Sequence, residues 1–267
     1  HIQVPLGDIE PLPLDDRKVI ARRSAAELEP QTILNLGVGI PVNVSTVAAE
    51  EGVSDQLILT TEAGSVGGVP AGLADFGHAY NSEAIVDHHS QFDFYDGGGL
   101  DLSVLGLAQT DESGNVNVSK FGSRVAGCGG FINISQSAKK LIFAGTFTAG
   151  GLKTRVAAGK LEILQEGKAK KFIKQVQQIT FSGEYASTTN QTILYVTERA
   201  VFRLENGKMV LTEIAPGIDL EKDILGQMEF EPIIASDLKV MDGGMFSEEW
   251  GGLKAIIEKQ TREGVSI

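Results

Sequence analysis

The chain has 267 residues and a formal net charge of −12, because 35 acidic side chains outnumber 23 basic ones. The length suits one large α/β domain, and the acidic balance argues against nucleic acid or an anionic membrane surface as the main partner. No run approaches the roughly 18 apolar residues of a transmembrane helix, and the first residues lack the basic and apolar regions of a signal peptide.

Proline is frequent in residues 1–14, which are predicted to form an irregular lead-in to a single domain over residues 15–267. Asp15 is a candidate N-cap for a helix that runs to about Leu28. Short apolar strands are predicted at 32–36, 57–62, 84–87, 102–108 and 140–147. Two further helices are predicted at 42–51 and within 129–138.

The pattern changes from about Lys160, where consecutive strands replace the alternation of strands and helices. Strands are predicted at 161–164, 178–181 and 193–214, with a hairpin turn at 205–207, and closing helices at 219–228 and 247–262. Before this point, the order strand, glycine turn, helix, strand predicts parallel pairing. The predicted fold class is therefore α/β: a mostly parallel sheet with helices on both faces plus added antiparallel strands.

Two glycine-rich turns follow the first two strands, at 35–41 and 61–72. Neither is a phosphate-binding P-loop, because no Gly-Lys-Ser/Thr follows, and the first lacks the third glycine of a dinucleotide fingerprint. Glu62 lies where an apolar strand meets the second turn, which is the usual mouth of an α/β site. Partial desolvation there would make it a stronger nucleophile, and the alternative is a carboxylate that caps N–H groups of the loop.

A third glycine cluster lies at 125–135, before a predicted helix. There Gly129 and Gly130 would present unpaired N–H groups suited to an oxyanion or a carboxylate. The alternative is that these glycines allow close packing of a strand and a helix. Both interpretations remain open.

Cysteine and histidine are scarce. Cys128 is the single cysteine, which excludes an internal disulfide and indicates a reducing, cytoplasmic compartment. It is more typical of a small buried hydrophobe than of a nucleophile. Four histidines offer few metal ligands, and on a strand His88 and His89 would point to opposite faces, so no metal site is predicted. The two histidines are also weak candidates for general bases.

Five segments resemble, in this order, the family I coenzyme A (CoA) transferases. They are NLGVGIPVNV (35–44), EAGSVGG (62–68), QFDFYDGGGLDLSVLG (91–106), GNVNVSKFG (114–122) and GCGGFINI (127–134). The resemblance spans roughly residues 15–240 and is closest to the C-terminal half of the single-chain propionate/acetate-type enzymes. It implies a three-layer CoA-transferase-like fold. Because members are about twice this length and have two similar halves, it also implies a missing N-terminal half, which agrees with the absent initiator Met.

The resemblance also implies a mechanism. Glu62 would be the nucleophile of a ping-pong transfer of CoA between short-chain carboxylic acids, through an acyl-glutamyl anhydride and a glutamyl-CoA thioester. Backbone amides at Val38 or Gly39 and at Gly130 would stabilise the oxyanions. CoA is the implied co-substrate, with no metal.

The residues that would contact CoA are less clearly marked. The implied neighbours are Gln91 (at the start of a loop over 91–99), Gly129, Gly130 and Lys153. Several relatives carry a lysine just before the glycine that follows the strand at 140–147. This chain reads Ala-Gly-Gly at 149–151, so Lys153 is the nearest cation.

Three functions remain open at this point: a CoA-transferase half, an acyl-CoA hydrolase on the same scaffold, and a non-catalytic binding relative. The implied partners are acyl-CoA, short-chain carboxylates, and the N-terminal half or a separate polypeptide that replaces it. An exposed face where that half would pack predicts self-association into a homo-oligomer. The sequence does not select the acyl group.

Overall fold

The computed structural model describes residues 4–5, 10–71 and 75–264. Residues 1–3 and 6–9 of the predicted lead-in, and Gly72 at the end of the second glycine turn, lie outside the described residues. The helices are α1 (Asp16–Ala25), α2 (Asn43–Glu50), α3 (His88–Asp96), α4 (Phe131–Ser137), α5 (Gly183–Thr188) and α6 (Gly252–Gly264). The strands are β1 (Ile33–Leu36), β2 (Ile58–Thr60), β3 (Ser65–Val66), β4 (Val69–Pro70), β5 (Ala79–Tyr80), β6 (Ala84–Ile85), β7 (Leu102–Gly106), β8 (Gln109–Thr110), β9 (Val116–Asn117), β10 (Lys120–Phe121), β11 (Arg124–Val125), β12 (Lys140–Ala144), β13 (Thr148–Ala149), β14 (Lys153–Ala157), β15 (Lys160–Gln165), β16 (Ala169–Lys170), β17 (Thr192–Val196), β18 (Ala200–Glu205), β19 (Lys208–Ile214) and β20 (Ile233–Val240).

Ten strands form one sheet, in the order β20-β19-β18-β17-β12-β7-β1-β2-β3-β6. The five strands from β17 to β2 in this order are parallel, and Leu34 of β1 lies opposite Leu59 of β2 and Leu102 of β7. Consecutive residues of β1, β7 and β12 are buried, so both faces of the sheet are covered. Helix α1 packs against α2 and α3 against α4, while α1 also contacts β12 and α4 contacts β7. The predicted fold class is confirmed.

Helix α1 begins where the sequence predicts because Asp15 caps it. The Asp15 carboxylate accepts a hydrogen bond from the Lys18 N–H at 2.9 Å. The helix ends at Ala25, three residues before the predicted end. Arg23 near its C-terminus is buried and donates to the Glu213 carboxylate of β19 at 2.6 Å. Helix α1 therefore ties the antiparallel extension of the sheet to its parallel centre.

The antiparallel extension is the meander β17-β18-β19. Its second turn lies at 205–207 as predicted, and both Asn206 (φ 50°) and Gly207 (φ 71°) are left-handed. This is the conformation of a type I′ hairpin, for which Asn-Gly is the preferred pair. Strand β20 then pairs with β19 in parallel, an element that the sequence did not predict.

Two predictions in the second half of the chain are wrong. Residues 178–181 are not a strand: only Phe181 forms a bridge, to Val116, and the Val118 N–H that would continue the pairing donates to the Thr180 hydroxyl instead. The predicted helix at 219–228 is a π-helical turn at 220–224 followed by a 3₁₀ turn at 225–227.

The loop predicted to begin at Gln91 is also wrong, because residues 88–96 form helix α3. Gln91 and Tyr95, one helical turn apart, are its buried residues, which is a helical signal that the polar composition of the segment obscured. Helix α5 was not predicted. In the described part of the chain, no helix combines the length and the apolar character needed to cross a membrane.

Candidate active site

A cavity of about 950 Å³ opens at the carboxyl edge of the parallel strands. Its walls include residues that directly follow β1 and β2, the end of β7, and the turn before α4. The three glycine-rich segments singled out in the sequence therefore meet at one space. Binding sites of α/β sheets lie at this edge because the strand ends release backbone groups from the ladder there.

Glu62 lies two residues beyond β2 and is half-buried at the wall of this cavity. A tight turn holds it: the Thr61 N–H donates to Ser65 O and the Gly64 N–H donates to Thr61 O, both at 3.0 Å. Gly64 has φ +108°, and a Cβ there would lie 2.0 Å from the Val86 carbonyl oxygen, so the turn requires glycine. Among the described residues, the Glu62 carboxylate has no hydrogen-bond or ion-pair partner, so it does not cap the loop.

Several backbone N–H groups near the same space have no acceptor among the residues that the structure describes. The amides of Val38, Gly39, Gly129 and Gly130 donate to no acceptor in the described residues. Val38, Gly129 and Gly130 line the cavity together with Glu62, and Gly39 lies beside it in the chain. A Cβ on Gly130 would also lie 2.7 Å from Cζ of Phe92 on α3. Gly130 thus has both features that the sequence left open, a free amide and a close helix contact.

Two side chains of α3 support the Glu62 turn, and sequence reasoning missed both roles. Tyr95 is fully buried and donates to the Thr60 hydroxyl at 2.8 Å, and Thr60 donates to Leu34 O at 2.6 Å. Burial raises the pKa of the Tyr95 phenol, although the hydrogen bond with Thr60 partly offsets this, so the phenol stays protonated. His88, at the start of α3, lies 2.7 Å through Nδ1 from the backbone oxygen of Glu62.

The other residues named from the sequence lie in different places. Gln91 is buried on α3 and does not line the cavity, and its Nε2 group has no hydrogen-bond partner in the described part of the chain. Lys153 is exposed on β14, in a two-stranded hairpin with β15, also away from the cavity lining. Cys128 lines the cavity, and His89 is exposed in the first turn of α3. Within the described ranges, no three His, Cys, Asp or Glu side chains cluster as a metal would require.

A smaller cavity of about 260 Å³ adjoins the first and shares Val38 as a wall. Lys171 lines it, is 6% exposed, and donates from Nζ to Thr146 O at 2.6 Å. Burial lowers the pKa of this ammonium group to about 8, although the nearby Glu198 carboxylate opposes the shift. Sequence reasoning missed Lys171 because nothing local marks it as buried.

The fold and the cavity define an α/β protein with an unpaired carboxylate that shares a pocket with free backbone amides. A scan against models of protein families gave no match. The chain is 55% identical over 264 residues to a caffeate CoA-transferase of Acetobacterium woodii, covering 97% of this chain and 50% of that protein. It is 30% identical to an acetate CoA-transferase subunit beta of Escherichia coli K12, covering 87% of this chain and all of that subunit.

Among solved structures, an acyl-CoA transferase of Escherichia coli O157:H7 (YdiF), in a thioester complex with CoA, superimposes with a TM-score of 0.85. The two are 48% identical, and the match covers 92% of this chain and 46% of that one. The chain belongs to the family I CoA-transferases, which confirms the resemblance found in the sequence. It spans about half the length of the first relatives that it matches.

Proposed function

We propose that this chain is the nucleophile-bearing half of an enzyme that transfers CoA between carboxylic acids. One observation carries the proposal: an unpaired Glu62 and the free amides of Val38 and Gly130 line one cavity. Acyl transfer needs a nucleophile and, around the same space, donors for the oxyanion that forms. The names of the curated relatives support the same reaction class.

In the first half-reaction, a carboxylate oxygen of Glu62 attacks the thioester carbonyl of an acyl-CoA. The carbon–sulfur bond breaks, which releases CoA thiolate and leaves an acyl-glutamyl anhydride. The thiolate then attacks the glutamyl carbonyl carbon, and the first acid departs as its carboxylate. Glu62 is now a glutamyl-CoA thioester.

In the second half-reaction, an acceptor carboxylate attacks this thioester and expels the thiolate, which gives a new mixed anhydride. The thiolate attacks the acyl carbonyl of the anhydride, so a new acyl-CoA leaves and the Glu62 carboxylate is restored. Every nucleophile and leaving group is a carboxylate or a thiolate, so the cycle requires no proton transfer. A general base is therefore unnecessary, and the covalent intermediate predicts ping-pong kinetics.

The free amides support the tetrahedral steps of this cycle. Each attack places negative charge on a carbonyl oxygen, and a preorganised N–H donor lowers such a barrier by about 3–4 kcal/mol. Val38 or Gly39 on one side and Gly130 on the other are the proposed donors. For CoA itself, Gly129 is a proposed neighbour at the cavity, and the exposed Lys153 is the proposed cation for its phosphates.

A second half of the enzyme is the proposed partner. The chain covers half of its first curated relative but all of a subunit named beta, which supports either a fused half or a separate polypeptide. Val38 at the cavity and Val125, the first residue of the third glycine cluster, are 65% and 75% exposed. A packed partner would cover such side chains and exclude water from the anhydride.

Short-chain carboxylates are the proposed substrates.

The test is to trap the covalent intermediate in the complete enzyme. Incubation with acetyl-CoA alone should leave CoA attached to the peptide that contains Glu62, detected by mass spectrometry, and Glu62→Gln should abolish the adduct. Exchange between acetate and propionyl-CoA should require both halves, whereas residues 1–267 alone should self-associate and turn over little. Release of CoA at an equal rate without any acceptor acid would instead indicate a hydrolase.

A further inference from the structure

His88 holds the backbone of Glu62 in place across 26 residues of sequence. Its Nδ1 lies 2.7 Å from the Glu62 carbonyl oxygen. A carbonyl oxygen only accepts, so Nδ1 carries the proton and donates. Two residues earlier, the Val86 N–H donates to Gly64 O at 2.9 Å. These two hydrogen bonds hold the backbone of the Glu62 turn on both sides of Ala63.

The imidazole ring is itself held by α3. It packs edge-on against Phe92, with ring centroids 5.0 Å apart, and Phe92 packs edge-on against Tyr95 at 5.8 Å. Tyr95 in turn donates to the hydroxyl of Thr60, the last residue of β2. Helix α3 therefore contacts the Glu62 segment twice, through Tyr95 before the nucleophile and through His88 at it.

We propose that His88 is a positioning residue for the nucleophile: by donating Nδ1–H to the Glu62 carbonyl, it fixes the backbone from which the attacking carboxylate projects. The inference rests on the proposed role of Glu62. The turn has φ +108° at Gly64, and the Glu62 carboxylate has no described partner that would orient it. Among the described residues, the hydrogen bond from His88 to the Glu62 backbone is therefore the contact that orients this side chain. A displacement of about 1 Å at the reacting atom lowers a rate by about 10²-fold.

The competing role for His88 is proton transfer through Nε2, since the residue also lines the cavity. The proposed cycle has no proton to move, which argues against it. The two roles use different ring nitrogens, and amide side chains separate them. Asn places a nitrogen where Nδ1 lies, whereas Gln places its terminal amide where Nε2 lies.

The experiment compares His88→Asn, His88→Gln and His88→Phe in the complete enzyme, by kcat, KM for acyl-CoA and Tm. His88→Asn should keep kcat within about threefold, whereas His88→Gln and His88→Phe should lose about 10–100-fold in kcat with little change in KM. The matched control is His89→Phe, because His89 is exposed on the same turn and its side chain makes no hydrogen bond to a described residue. Its kcat should equal that of the parent enzyme.

Three outcomes would overturn the positioning role: activity retained by His88→Gln but lost in His88→Asn, rates in all three variants that follow Tm alone, or full activity of His88→Phe. Glu62→Gln, assayed in parallel, separates this inference from the proposed function. If Glu62→Gln is inactive while His88→Phe works normally, only the positioning role fails, and if Glu62→Gln is active, the nucleophile assignment itself fails.

Discussion

Glu62 and Glu198 occupy equivalent places in the sheet, yet their surroundings are opposite. Each lies two residues beyond the end of a parallel strand, Glu62 after β2 and Glu198 after β17. Glu198 is fully buried, and its two oxygens accept from Arg199 Nε at 2.6 Å and from the Phe147 N–H at 2.9 Å. Glu62 is half-buried and has no partner for its carboxylate among the described residues.

Arg199 completes the pairing around Glu198. Its guanidinium also donates to Glu166 at 2.7 Å and lies 5.0 Å from the ring centroid of Phe147. Burial alone would lower the pKa of Arg199, but the Glu198 and Glu166 carboxylates outweigh it and hold that pKa above its usual value. The position of a carboxylate at the end of a parallel strand therefore does not by itself mark it as an active-site residue. Glu198 is paired with a buried cation, whereas the Glu62 carboxylate has no partner among the described residues, as its proposed role as nucleophile requires.

The largest effect that this comparison predicts is on catalysis at Glu62. Glu62→Gln should lower transfer by about 10³-fold or more, because the nucleophile is lost, and Glu62→Asp by about 10²-fold, because the shorter stem misplaces it. Stability should change by less than about 0.5 kcal/mol, since no partner is left unpaired. Steady-state rates and Tm of the complete enzyme check both parts. A large loss of Tm in Glu62→Gln would contradict the comparison.

The reverse pattern is expected at Glu198. Glu198→Gln should leave the buried Arg199 charge paired with Glu166 alone and destabilise the fold by about 1–3 kcal/mol. The variant molecules that remain folded should transfer CoA at nearly the parental rate. Tm and active-site titration with acyl-CoA separate the two quantities. Normal stability, or a fully folded but inactive enzyme, would show that Glu198 belongs with Glu62 instead.

The sequence allowed Glu62 to be proposed as the nucleophile, but it did not predict the contacts that hold the Glu62 turn. Glu62 could be singled out because an apolar strand followed by Glu-Ala-Gly indicates a strand end and a tight turn, and both are visible in the local sequence. Helix α3 brings His88 to the Glu62 backbone, whereas the sequence predicts a loop over 91–99, where most of this helix lies. Phe147 and Glu166, which complete the pairing of Glu198 and Arg199, likewise come from segments distant in sequence. Local sequence patterns predict where helices and strands form, whereas the partners of a charged side chain depend on how distant segments pack together.

Variants of Gly130 test whether the third glycine cluster supplies N–H groups to an oxyanion or only allows close packing. A Cβ there would meet the Phe92 ring at 2.7 Å, so Gly130→Ala should lower stability by about 1–3 kcal/mol. Gly130→Val should in addition reduce turnover by about 10²-fold, because it obstructs approach to the amide. Combining Gly130→Val with Phe92→Leu should restore Tm but not rate, measured against Phe92→Leu alone. Recovery of both would mean that Gly130 serves packing only.

The smallest expected effect concerns Lys171, which is buried as Glu198 is but lacks a carboxylate within ion-pair distance among the described residues. Its pKa is about 8 in the folded protein against an ordinary value of 10.5. Between pH 8 and 10.5 Lys171 is protonated in the unfolded chain but largely neutral in the folded protein, so the free energy of unfolding rises with pH over this range. Below about pH 8 Lys171 is charged in both states, and the cost of burying that charge is present in full. From about pH 7.5 to 10 the gain should approach 2 kcal/mol, or about 5 °C in Tm. Lys171→Met should lose this gain while other titrating groups affect parent and variant equally. Parallel Tm profiles for the two proteins would show that Lys171 stays charged and reaches a partner, as Arg199 does.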